Sequence, residues 1–88
     1  MYRLLLVDDE VSITKGLTIL VHRLVPSCKV VGTAYDGEEG YQAALKLKPD
    51  IIITDIRMPQ VNGLDMIRKL QQSGCRAKFI ILSGYAEF

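Results

Sequence analysis

Cysteine is nearly absent from this 88-residue chain: Cys28 and Cys75 are the whole complement, with no CxxC spacing and only a single histidine, His22. That argues against a zinc-ligand set and a disulfide-stapled secreted scaffold, and for free thiols in a reducing cytoplasm. Charge of one sign is lacking too. Eleven Lys+Arg against ten Asp+Glu leave a formal net charge of +1, too weak a field to draw nucleic acid or an anionic membrane to the chain. No apolar run is long enough for a membrane span or a signal-peptide core, since the N-terminus offers only Leu4-Leu5-Leu6-Val7 before two aspartates. A cytoplasmic protein without membrane contact is expected. The three prolines, Pro26, Pro49 and Pro59, stand singly, and neither repeats nor low-complexity tracts occur. The length leaves room for one domain with a thin core.

What is present is an alternation of two hydrophobic periods. Leu4–Val7 is a continuous apolar run that stops at Asp8-Asp9, as a strand buried on both faces does at its carboxyl end. From Glu10 onward Ile13, Leu17, Leu20, Val21 and Leu24 recur at helical spacing up to Pro26, which predicts a first helix with those residues inward. Lys29–Ala34 is β-branched and bounded by turn residues, a second strand. Asp36 and Glu39 have the spacing of a capping box, opening a helix with Tyr41, Ala44 and Leu45 inward that ends before Pro49. Ile51–Thr54 is a third strand and runs into Asp55. Met58-Pro59 and Asn62-Gly63 predict a loop and turn, Leu64, Ile67 and Leu70 a short helix ending at Gly74, and Phe79–Leu82 a fourth strand before Ser83-Gly84.

This order predicts an α/β fold, a parallel sheet with right-handed crossovers and helices on both faces. Ligands of such sheets sit outside the carboxyl ends of the strands, where Asp8, Asp9, Asp55 and Ser83 fall. Three carboxylates together repel one another unless a cation joins them, and a hard divalent ion such as Mg2+ suits an all-oxygen set. Without it, repulsion should raise the pKa of at least one of them. An aspartate can also attack phosphorus and form an aspartyl phosphate. Asp55 as nucleophile, Asp8 and Asp9 as metal holders and the Ser83 hydroxyl as donor fill most roles of phosphoryl transfer. Taken singly, each aspartate would be read as a strand-end or cap residue.

The segments LLLVDDE (Leu4 to Glu10), DIIITDIRMPQVNG (Asp50 to Gly63) and FIILSG (Phe79 to Gly84) resemble the receiver domain of bacterial two-component response regulators, the CheY-like family. The resemblance spans the whole chain. It implies a flavodoxin-like doubly wound sheet of strand order 2-1-3-4-5, a fold for which CheY is a standard example. It further implies that Asp55 accepts a phosphoryl group from a phosphohistidine of a sensor kinase. Asp8, Asp9, Asp55 and the Arg57 backbone carbonyl would hold Mg2+, and Ser83 would be the switch hydroxyl. The tail Ser83–Phe88 is similar to receivers joined to an AraC-type helix-turn-helix effector. That would make the parent a DNA-binding transcription regulator, although nothing in these residues binds DNA.

The family pattern continues past Phe88 with one more strand and two helices, so the chain is expected to carry the first four strands and three helices only. The lysine that ends the last strand has no match among Lys15, Lys29, Lys46, Lys48, Lys69 and Lys78. The fourth strand would then be an apolar edge and part of the first helix uncovered, which predicts a homo-oligomer, a domain swap or a loose monomer. Two alternatives to a signalling receiver follow. One is a truncated receiver that takes no phosphoryl group and acts only as an oligomerising fragment. The other is an aspartyl-phosphate enzyme, disfavoured because Arg57 stands where such enzymes place a second aspartate. His22 reads as a solvated residue near a helix end, Tyr35 and Tyr85 as rim packing, Met58 as loop packing, and Glu38, Glu39, Lys46 and Lys48 as a solvated helix face without a partner.

Overall fold

The computed structural model describes residues 1–58 and 60–82, and Ser83 together with the rest of the tail lies outside them. Strands β1 (Tyr2–Val7), β2 (Cys28–Ala34), β3 (Ile51–Asp55) and β4 (Lys78–Leu82) alternate with helices α1 (Val11–Leu24), α2 (Gly37–Leu47) and α3 (Gly63–Gln72). All strand pairs are parallel, in the order β2-β1-β3-β4. The apolar runs dictate this arrangement. Leu4, Leu5, Leu6 and Val7 are all buried, which only a central strand with cover on both faces allows.

The pleat divides the strand residues between two layers. Leu5, Val7, Ala34 and Ile52 form one core with Ala44 of α2 and Met66 and Leu70 of α3. On the opposite face α1 lies over β2, where Thr14 is fully buried and Leu17, Thr18 and Val21 are half-buried. Thr14 and Thr18 are tolerated there because their hydroxyls donate to the carbonyls of Val11 and Thr14, at 2.9 and 2.7 Å.

Three helix faces differ from the sequence expectation. In α3 the inward set is Gly63, Met66 and Leu70, while Leu64 is exposed. The cause is period: Gly63, Met66 and Leu70 lie within about 60° of one another round the helix and Ile67 packs at the edge of that core, whereas Leu64 stands about 120° from Leu70. In α2 Gly37, Gly40 and Ala44 face inward, and Leu45, a further 100° round, is exposed. In α1 the buried face is centred on Thr14, so Leu20 and Leu24 are 52% and 71% exposed and Ile13 is also open.

The termini follow local chemistry. Asp36 caps α2 by accepting from the Glu39 N–H at 2.7 Å, but the Glu39 carboxylate accepts from Tyr35 N–H at 3.4 Å instead of closing the box on Asp36. Asn62, expected in a turn, is the N-cap of α3 and accepts from Asp65 N–H at 2.9 Å. Glu38, expected to be solvated without a partner, pairs with Lys69 of α3 at 3.4 Å, and Lys69 lies 4.5 Å over the Tyr41 ring.

Candidate functional site

Asp8 and Asp9 follow β1, and Asp55 ends β3, the neighbouring strand in the sheet. Parallel pairing in register, with Val7 beside Thr54, brings the two strand ends level. One oxygen from each of Asp8, Asp9 and Asp55 lies within 4.8 Å of the others. Asp8 is buried, Asp55 half-buried and Asp9 exposed.

The backbone around the cluster is tightly tied. Asp8 N–H donates to Ala34 carbonyl at 3.0 Å, and Asp8 Oδ1 accepts from Glu10 N–H at 2.9 Å. Asp55 Oδ1 accepts from Ile56 N–H at 2.7 Å, and Thr54 Oγ1 donates to the Asp55 carbonyl at 2.9 Å. These bonds engage one oxygen each of Asp8 and Asp55. They leave the other oxygen of Asp8 and Asp55, and both oxygens of Asp9, outside the side-chain hydrogen bonds of the described residues.

Burial pushes the Asp8 carboxyl above its ordinary range. The Glu10 N–H opposes that rise, and the charges of Asp55, Asp9 and Glu10 add to it. Like-charge repulsion, expected from the sequence to be the cause, therefore ranks behind desolvation. A divalent cation fits this donor set: three carboxylates converge, all are hard oxygen ligands, and one is already penalised for being charged without a counter-ion.

Gly63 contributes to the site without a side chain. Its N–H donates to Ile56 carbonyl at 2.8 Å, and a Cβ there would collide with the carbonyl of Asp55. The start of α3 thus presses on the backbone that carries Asp55. The Asn-Gly pair was visible in the sequence as a turn, but no local signal tells that its glycine touches a residue eight positions earlier. Arg57 is exposed in the loop after β3 and lines a shallow depression with Asp9, Ile56, Met58 and Asn62. Met58 packs against the core, away from metal-ligand chemistry. Tyr35 is exposed at the end of β2, 3.3 Å from the Thr33 hydroxyl, and His22 is exposed in the last turn of α1.

Residues 4–88 match the family model described as the response regulator receiver domain. The chain belongs to this family. The receiver is 36% identical over 88 residues to the uncharacterized transcriptional regulatory protein YesN of Bacillus subtilis, covering all of this chain and 24% of that protein. It is 35% identical over 80 residues to the nitrate/nitrite response regulator protein NarL of Escherichia coli K12, covering 91% of this chain and 37% of that one. Among solved structures, the response regulator domain of Thermotoga maritima CheB superposes with a TM-score of 0.91 at 34% identity, over 99% of this chain and 63% of that chain. The receiver thus spans well under half the length of these curated relatives. Receivers of this family take a phosphoryl group on an aspartate, bind Mg2+ in an acidic pocket, interact with sensor histidine kinases and are generally not enzymes themselves. Among the described residues, no helix is long and apolar enough to cross a membrane.

Proposed function

We propose that this chain is a phosphoacceptor module in which Asp55 takes a phosphoryl group from the phosphohistidine of a sensor kinase. The observation that carries this is the convergence of Asp55 with Asp8 and Asp9 within 4.8 Å at the carboxyl edge of the sheet. An Asp55 carboxylate oxygen forms the new P–O bond as the P–N bond to the donor imidazole breaks, and the imidazole leaves with the electron pair. The Ile56 N–H, 2.7 Å from Asp55 Oδ1, engages that oxygen and leaves the second one to attack phosphorus. Asp8, Asp9, Asp55 and the Arg57 carbonyl would hold Mg2+, which when bound neutralises charge on the phosphoryl oxygens. Ser83 is proposed as the switch hydroxyl from its place in the sequence alone.

For the whole protein we propose a cytoplasmic transcription regulator. The tail Ser83–Phe88 favours an AraC-type effector, and a LuxR-family regulator from Aurantimonas, 29% identical with a TM-score of 0.89, represents the competing type. The test at the site is intact mass after incubation with acetyl phosphate. A phosphoryl-sized gain that requires Mg2+ and is absent from Asp55→Asn supports the proposal; no gain in a folded chain overturns it.

A second function is favoured by a separate observation. Ile80 and Ile81 point to opposite faces of β4 and are 48% and 44% exposed, and the outer edge of β4 pairs with no described residue. We propose that the 88-residue polypeptide self-associates through this strand, as a dimer or domain swap. Should phosphorylation fail, this association is what remains of its function.

A further inference from the structure

At the end of the sheet opposite the aspartates, a cavity of about 500 Å3 opens between the C-terminal ends of α2 and α3 and the start of β4. Its walls include Ala44, Pro49 and Ala77, and its rim carries Lys48, Arg76 and Lys78. The volume and the mixture of apolar wall with a few polar groups are those of a small-molecule site. It lies one strand length from the carboxylates, about 13 Å along β3 at the usual rise per residue.

The charges around it are unbalanced. Among the described residues none of Lys48, Arg76 and Lys78 makes an ion pair or a side-chain hydrogen bond. The single carboxylate in the wall, Asp50, already accepts from Arg3 N–H at 2.7 Å. Helix C-termini normally repel anions, but here the carbonyls are engaged: Leu47 by the Arg3 guanidinium at 2.6 Å, Ala44 by Lys48 N–H at 3.0 Å and Leu70 by Cys75 N–H at 3.0 Å. Lys48 is held at the helix end in the left-handed region, φ +51°, which fixes where its side chain departs from the backbone.

We propose that this cavity is a second binding site, for a small organic anion with an apolar body, its carboxylate or phosphate-type head held by Lys48, Arg76 and Lys78. Apolar walls select the body, and the guanidinium of Arg76 offers paired donors to a planar or tetrahedral oxyanion.

The test is a 1H–15N titration of the 88-residue chain with phenylphosphonate, whose C–P bond cannot donate a phosphoryl group, and with benzoate. Benzyl alcohol and inorganic phosphate supply the body and the head alone. Saturable shifts confined to the amides around Ala44, Cys75, Ala77 and Lys78 are expected from at least one of the two aryl anions, and which one binds tighter identifies the head group. Affinity should fall at least tenfold in Lys48→Gly/Arg76→Gln/Lys78→Gln, and by a smaller factor in Arg76→Gln alone should the triple variant unfold. Non-saturating shifts, equal affinity for benzyl alcohol, or unchanged affinity in the charge variants would overturn the proposal.

Discussion

A buried carboxylate with two more beside it is the residue-scale feature on which the site turns. The folded chain keeps a proton on Asp8 over a range, starting at 3.8, in which the unfolded chain has lost it. The metal-free fold therefore loses stability from this group as pH rises through that window toward the raised folded value. Asp8→Asn removes the penalty, so the variant's stability advantage over the parent in denaturant melts should grow with pH above 3.8 and then level off. A gap that is independent of pH would contradict this assignment. The same variant should lose the stabilisation by Mg2+, which for the parent is about 2.7 kcal/mol at a concentration a hundredfold above Kd. Gly63→Ala is the second test at this scale. Its new methyl has the Asp55 carbonyl in its way, so a loss of about 1–3 kcal/mol and a slower phosphoryl gain are expected together.

At the scale of elements, helix ends and helix faces carry the expectations. Replacing the α3 N-cap by Asn62→Ala should cost about 0.5–2 kcal/mol in a thermal melt, with Asn62→Asp close to the parent. Gly16, in the middle of α1, has no atom within 4 Å of where a Cβ would stand. Gly16→Ala should therefore stabilise by about 0.5–1 kcal/mol, and destabilisation would show that the helix packs more tightly there than described. The strands were legible in the sequence as four apolar runs, two of them ending in aspartate, whereas their order in the sheet was implied only by the family resemblance. The helix faces were less legible. Leu45 and Leu64 are apolar, yet the buried positions beside them are taken by Ala44 in α2 and by Gly63 and Met66 in α3, which the helical period rather than hydropathy selects. The closeness of Asp8, Asp9 and Asp55 was legible from strand ends. That Asp8 sinks below the surface while Asp9 does not depends on which side of the pleat each one leaves, set by the register with β2 and β3.

Over the whole molecule, burial is uneven. One layer, between the sheet and α2 with α3, is closed by a continuous cluster, while the other leaves Leu20 and Leu24 of α1 and Ile80 of β4 open to solvent. Exposed apolar side chains of this kind on a chain with a net charge of +1 favour association over solubility. Light scattering should return a mass above that of the 88-residue monomer, and Ile80→Lys should return it to the monomer; a monomeric parent would remove the self-association proposal. The two ends of the sheet lie about a strand length apart, the acidic one proposed to hold Mg2+ and the other basic, so variants at Arg76 should leave Mg2+ affinity within about twofold.

Of the three adjacent carboxylates, Asp55 is the one proposed to attack phosphorus. Borohydride reduction of the acetyl phosphate-treated chain converts an aspartyl phosphate to homoserine, and tandem mass spectrometry then locates the altered residue. Homoserine at position 55 alone, formed only with Mg2+, is the predicted result. Homoserine at position 8 or 9, or none in a chain that is folded and binds Mg2+, would contradict the assignment.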